Sequence, residues 1–252
     1  MGNLKNKKIL FLVEGIKTEK NNIKNIAKNI FHLFDENYEI VAYETSIYEL
    51  YEKLAEDPML SLVGLLRSMG KISLNERELS KQAFSQIYLV FDFDCQYQKY
   101  SDNIIRKLLN YFDDETENGK LYINYPMFEA AFYLDDFVNP KEVFAYQKVD
   151  ECTGRIFKKK VREISCFGKR NHLDFTLSRT IDVLQCIKWN YIRQKEITGK
   201  EEIDYKKILE KQIELKNSSD HKIMILSTFI LMTVDYNPKI LNVVSEKLGL
   251  IL

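Results

Sequence analysis

Two apolar runs in this chain end in acids. Ile9-Leu10-Phe11-Leu12-Val13 passes directly into Glu14-Gly15, and Ile87-Tyr88-Leu89-Val90-Phe91 passes into Asp92-Phe93-Asp94. Carboxylates bind hard cations and move protons. Three of them meeting in one place repel one another unless a cation lies between, so the pattern predicts a divalent metal site. If the second run stays extended, Asp92 and Asp94 point to one face and Phe93 to the other. A plain alternative is that both aspartates simply end a strand and open a turn, where Asp is common.

Two further acids belong to the same pattern. In Glu14-Gly15-Ile16-Lys17-Thr18-Glu19, Gly15 permits a sharp turn, Thr18 can cap a helix and Glu19 falls in its first turn, where the helix dipole alone would favour an acid. In Asn124-Tyr125-Pro126-Met127-Phe128-Glu129, a strand ends, proline sets a first helical turn and Glu129 follows. Glu129 alone reads equally as a capping acid.

The elements that must carry these residues alternate. Strands are expected at 9–13, 38–43, 87–91 and 121–125, with helices at 17–34, 46–54, 58–68 and 103–112 and a further turn or two at 74–84. Strands separated by helices predict a largely parallel, helix-covered sheet of α/β type. From about residue 139 the spacing becomes helical at 181–192, 205–215, 223–234 and 238–248, and strand candidates are scarce. The expected organisation is an α/β catalytic domain at 1–138 with a mostly helical C-terminal region at 139–252 packed on it.

Taken together, the three acidic segments resemble the Toprim superfamily, most closely its RloB-like and OLD-like nuclease branch. The likeness covers roughly residues 7–135 and is discontinuous. A Tyr separates Asn124 from Pro126 where that branch has Asn-Pro-x-Phe-Glu. The resemblance implies a compact sheet with helices on both faces and a strand-end site of Glu14, Asp92 and Asp94 holding Mg²⁺ or Mn²⁺, with Glu19 and Glu129 as candidates for a second metal. It implies a nuclease that hydrolyses phosphodiester bonds of DNA or RNA, and an association with phage defence. Topoisomerases of the superfamily need a nucleophilic tyrosine on a partner domain, and none of the 15 tyrosines here can be nominated. No P-loop is visible, so nucleotide-driven gating would need a separate ATPase subunit. A homo-oligomer is a further partner class left open.

Charge divides along the chain. Residues 1–140 hold 16 Lys and Arg against 22 Asp and Glu, and residues 141–252 hold 21 against 15, for a net charge of zero. The acidic part suits a cation and the basic part an anionic polymer. Between Arg155 and His172, Arg155, Lys158, Lys159, Lys160, Arg162, Lys169 and Arg170 stand against Glu163, with Phe157 and Phe167 interspersed. That composition fits either a phosphate track with stacking aromatics or a solvated face. Lys169, beside Gly168, is a catalytic candidate that could stabilise charge at the metal. Cys95, Cys152, Cys166 and Cys186 form no CxxC pair, which argues against zinc. With no signal-peptide core and no membrane-length run, the expectation is a reduced, cytoplasmic protein.

Three rival readings remain at this level. A haloacid-dehalogenase-type phosphatase would use the Asp92/Asp94 pair as nucleophile and acid, but that motif normally opens its fold. A nucleotide-sugar transferase would use it for Mn²⁺ and leave Glu14-Gly15 unexplained. A non-catalytic Toprim-like module of a larger complex could dock through Ile223, Ile225, Leu226, Phe229, Ile230 and Val234, although such a run is more often core.

Overall fold

The computed structural model describes residues 8–29, 31–73, 84–133, 145–164 and 203–236. Its elements begin with β1 (Lys8–Val13), α1 (Thr18–Asn29), β2 (Tyr38–Ala42), α2 (Ile47–Glu56), α3 (Leu62–Ser68), β3 (Phe84–Asp92), α4 (Asp102–Tyr111), β4 (Asp113–Asp114) and β5 (Gly119–Tyr125). They continue with β6 (Tyr146–Lys148), α5 (Gly154–Ile164), α6 (Tyr205–Asn217), β7 (Lys222–Met224), β8 (Leu226–Ser227) and α7 (Thr228–Tyr236). The central sheet runs β2-β1-β3-β5-β4, with β8 also paired to β5. β1 is parallel to both β2 and β3, whereas the short β4 and β8 run antiparallel to β5. Parallel neighbours cannot be joined by a tight turn, and here α1 joins β1 to β2 while α2 and α3 lie between β2 and β3. The fold is α/β with a mostly parallel central sheet, as the alternation in sequence predicts. Among the described residues, no helix is long and apolar enough to cross a membrane.

The chain divides into two compact units, residues 1–91 with 103–121, and residues 92–102 with 122–252. The sequence-predicted boundary at 138/139 lies outside the described residues. In the first unit, Leu10, Phe11, Leu12 and Val13 of β1 are fully buried. The ring of Phe11 stacks between Phe31 and Tyr88, with centroids 6.1 and 5.5 Å away. Gly119 opens β5 at a φ of 106°, and a Cβ there would run into Leu89, so the site excludes any other residue.

The predicted stripe of the first helix holds for Ile23, Ile26, Ala27 and Phe31, all buried, but Phe34 is 71% exposed. The helix stops earlier than its apolar spacing implies. His32 takes a left-handed φ of 53°, and the Leu33 N–H donates back to the Ala27 carbonyl at 2.8 Å. That six-residue closure satisfies a terminal carbonyl and turns the chain away.

The second unit departs from expectation at 223–234, where one helix was predicted. The chain there forms β7 and β8 before α7 begins. Ile223, Met224, Ile225 and Leu226 are each fully buried, and a continuous apolar run carries no periodicity to separate a buried strand from a buried helix. Partners decide it. β7 pairs with β6, and Leu226 pairs with Tyr125. The buried Gln212 amide adds a substitute strand, donating to the Met224 carbonyl and accepting from its N–H, both at 2.9 Å. The predicted helix at 205–215 is α6; those at 181–192 and 238–248, and the turns at 74–83, lie outside the described residues.

Asp102, at the start of α4, is held in this unit by the Tyr100 hydroxyl at 2.6 Å, Asn217 Nδ2 at 2.9 Å and Lys216 Nζ at 2.9 Å. Burial would raise its carboxyl, but the hydrogen bonds from Tyr100, Asn217 and Lys216 outweigh it and bring it down to about 2. A depressed carboxyl contributes stability above its unfolded value of 3.8 and loses it as pH falls toward about 2. Asp102→Asn is therefore expected to cost about 1–2 kcal/mol at neutral pH, screened in part by water, and progressively less in acid. Denaturant melts of the two proteins across that pH range check it; a constant difference would refute the linkage.

Candidate functional site

Glu14 and Glu19 belong to the first unit, and Asp92, Asp94 and Glu129 to the second. Glu14 follows β1 directly. Its N–H donates to the Val90 carbonyl at 3.3 Å, and its carbonyl accepts from the Glu44 N–H at 2.9 Å, so its backbone is fixed on both sides. Glu19 sits in the first turn of α1, buried at 7% exposure. Its carboxylate folds over Gly15, where a Cβ would run into it. The glycine is therefore used for close approach by an acid rather than for an unusual φ.

β3 ends at Asp92, and the extended continuation expected through Asp94 does not occur. The Phe93 N–H donates to both the Asn124 and Pro126 carbonyls at 3.1 Å. Its ring is fully buried, with centroids 5.5 Å from Tyr100 and 4.9 Å from Tyr125. Asp94 then takes a left-handed φ of 35°, tolerated by Asp better than by most residues, and the Tyr97 N–H closes the turn on the Asp94 carbonyl at 2.9 Å. Strand alternation thus places Phe93 inward as predicted but does not set the direction of Asp94.

Asp92 spends Oδ1 on the Phe128 N–H at 2.8 Å. That N–H opens a 3-10 turn, Phe128–Phe132, where the sequence implied an α-helical start. The carboxylate of β3 therefore anchors the turn that carries Glu129. Glu129 Oε1 lies 3.1 Å from Lys158 Nζ on α5, and its side chain is only 12% exposed. Its other oxygen, Oε2, is buried and has no hydrogen-bond partner among the described residues. Burial pushes the Asp94 carboxyl above its ordinary value, and the charge of Lys158 works against that rise. One ammonium thus serves two acids that come from different segments.

Asp94 also lines a cavity of about 280 Å³ with Cys95, Gln96, Tyr97, Pro126, Cys152 and Thr153. At roughly 30 Å³ of liquid volume per water, such a space holds a phosphate group or a hydrated ion but not a whole nucleotide. Cys95 and Cys152 are unbridged, and their sulfurs are hydrogen-bond partners. The contact with Cys152 lowers the Cys95 thiol, and the same contact together with burial raises that of Cys152. Cys152 has one proton and two acceptors within reach, the Cys95 sulfur and the Lys148 carbonyl at 3.2 Å.

Among the described residues, no group of three or more His, Cys, Asp or Glu side chains is gathered so as to hold a metal ion. The donor set in the second unit suits a hard cation bound by two carboxylates, Asp94 and Glu129, and completed by waters and substrate oxygens. The unpartnered Glu129 oxygen fits that use. An all-protein cage is not built here. No family model, no curated protein and no solved structure matches this chain.

Other predicted residues fall elsewhere. Asn124 is fully buried, and its Oδ1 accepts from the Ser227 hydroxyl at 2.9 Å and the Phe229 N–H at 3.4 Å, which ties α7 to the end of β5. Phe157 is fully buried and stacks on Tyr133 at 6.1 Å, so it offers no face to a base. Lys158, Lys159 and Lys160 do not form one track. Lys158 meets Glu129, Lys159 meets Glu163 at 3.8 Å, and Lys160 donates to Gln147 Oε1 at 2.7 Å. Lys169, Phe167 and Arg170 lie outside the described residues. Sequence reasoning missed Lys158 as partner of Glu129, and missed the pairing of Cys95 with Cys152. The only advance signal for either was composition near the motifs.

Proposed function

We propose that this chain is a Toprim-type, divalent-metal-dependent nuclease that hydrolyses phosphodiester bonds of DNA or RNA with Mg²⁺ or Mn²⁺. The observation that carries the reading is the grouping at the end of β3. Asp92 is bonded to the turn of Glu129, and Asp94 and Glu129 share Lys158 beside a cavity of phosphate size. Glu14 enters through the sequence motif alone.

In this reading Asp94 and the free oxygen of Glu129 are the ligands of the cation. When bound, the cation neutralises charge on a non-bridging phosphate oxygen and on the leaving oxygen. Asp92 keeps one oxygen on the Phe128 N–H and so holds the Glu129 turn in place. Lys158 directs a second positive charge at the same phosphate, where charge grows as the bond breaks. Glu14 takes the proton from the attacking water at its carboxylate. The phage-defence association, a separate ATPase partner and a cytoplasmic location are parts of the same proposal.

Labelled single- and double-stranded DNA and RNA should be cut with Mg²⁺ or Mn²⁺ present and spared with chelator. Glu129→Gln and Glu14→Gln should each slow cleavage by roughly 100-fold. Full activity of both variants, or equal cleavage in chelator, would reject the assignment.

A second reading rests on Lys158. An ammonium already set between Asp94 and Glu129 can serve as their permanent counter-ion, as in a non-catalytic binding module. Calorimetric titration of Mn²⁺ separates the two: the nuclease takes up the ion through Asp94 and Glu129, and the module does not.

A further inference from the structure

We propose that Cys95 and Cys152 are a modification site, a vicinal thiol pair that closes into an intramolecular disulfide on exposure to a peroxide and reopens with a dithiol reductant. Neither thiol has a part in the nuclease reading.

The two cysteines come from segments far apart in sequence that the fold lays side by side. Cys95 sits in the turn that Tyr97 closes on Asp94. Cys152 follows the 3-10 turn Val149–Glu151, its N–H donating to the Val149 carbonyl at 3.1 Å, and leads into α5. Gln96 Nε2 donates to the Val149 carbonyl, so the two segments are already joined one residue beyond Cys95. Both cysteines line the same cavity, and their sulfurs face each other in a hydrogen bond. Buried cysteines usually act as small apolar groups. This pair differs because one member is reachable: Cys95 is partly exposed and Cys152 is buried. A reactive thiol open to solvent, with a resolving thiol behind it, is the arrangement that oxidation converts to a disulfide before it can proceed to the sulfinic acid.

The steps balance. Cys95 sulfur, as thiolate, attacks one oxygen of the peroxide and breaks the O–O bond, giving a sulfenic acid and, after protonation of the departing hydroxide, water. The Cys152 sulfur then displaces the sulfenic hydroxyl, which leaves as a second water with the Cys152 proton. Two thiols are oxidised and hydrogen peroxide is reduced to two waters. The product ties the turn of Asp94 to the segment that begins the helix of Lys158 and narrows the cavity between them.

The test uses the full chain carrying Cys166→Ser and Cys186→Ser, so that only this pair can react. The folded protein is treated with a small excess of hydrogen peroxide, alkylated, and examined by intact mass and by non-reducing peptide mapping. Both thiols should be lost together, the mass should fall by two hydrogens, and the peptides of Cys95 and Cys152 should appear cross-linked within a monomer. Dithiothreitol should restore both, and Cys152→Ser should leave a sulfenic acid on Cys95 that dimedone traps. If the double-serine background fails to fold, the same cross-linked peptide is sought in the unsubstituted chain. Oxidation of Cys95 to the sulfinic acid while Cys152 stays alkylatable, disulfides between chains, pairing with Cys166 or Cys186, or no reaction would each overturn the proposal.

Discussion

Asp94→Asn is expected to slow metal-dependent cleavage of nucleic acid by roughly 100-fold or more while making the folded protein more stable at neutral pH. The two effects have one source. Burial makes the charged Asp94 carboxylate unfavourable, and Lys158 offsets this only in part, so its folded carboxyl titrates above the ordinary 3.8. Between those two values the folded chain holds a proton that the unfolded chain has released. Stability therefore falls as pH rises from 3.8 through the raised value, and stays lower above it. An amide has no charge to desolvate, and replacing the acid by Asn removes that loss, so the melting temperatures of the two proteins should converge in acid and separate above it. The same amide is a poor ligand for a hard cation and cannot balance its charge. Activity and stability then move in opposite directions, as they do where a site is kept at the expense of the fold. Asp92→Asn is the control, since its Oδ1 can still accept from Phe128 and the Glu129 turn survives. Cleavage rates and thermal melts across the acid range decide the matter. An Asp94→Asn protein that is less stable at neutral pH, or equally active, would refute the account.

The parts legible in the sequence are those fixed by local pattern. β1 and β3 are continuous apolar runs with nothing else they can become, and their terminal acids mark where each strand leaves the core. The left-handed turn at Asp94 was not legible, because Asp permits that conformation without requiring it. Phe34 was counted in the α1 stripe because its spacing is correct; the helix had already been closed by His32 and Leu33. The two strands at 222–227 were read as helix because their identity comes from partners, Tyr125 and Gln147, far away in sequence. Lys158 posed the same difficulty. In a run of three lysines it resembles its neighbours, and only the fold shows that it faces Glu129 while Lys159 faces Glu163 and Lys160 faces Gln147. Spacing within an element can be read from sequence, whereas the choice among equivalent charges is made by tertiary contact.

Phe128→Ala should cost about 3–5 kcal/mol of stability, the range for removing a buried aromatic ring. Phe128 is fully buried, its ring centroid 4.9 Å from Phe229 and 6.1 Å from Phe132. Phe229 in turn gives its N–H to Asn124, so the ring joins the Glu129 turn to α7 and to the end of β5. The substitution keeps the Phe128 N–H and hence its bond to Asp92, so that what is lost is packing alone. In a denaturant titration the midpoint should fall while the slope stays the same, the sign that the native state has lost contacts without changing its unfolded reference. Phe128→Leu, closer in volume, should recover most of the loss, with a remaining cost of about 1.5 kcal/mol. The pair of variants also separates packing from chemistry. The leucine protein should retain cleavage because the Asp92 anchor and the Glu129 carboxylate are intact, and the alanine protein should lose it in proportion to the loosening of the turn. If Phe128→Ala instead left stability unchanged, the ring would not be what holds Glu129 against Lys158, and the backbone bond to Asp92 would have to hold the turn without it.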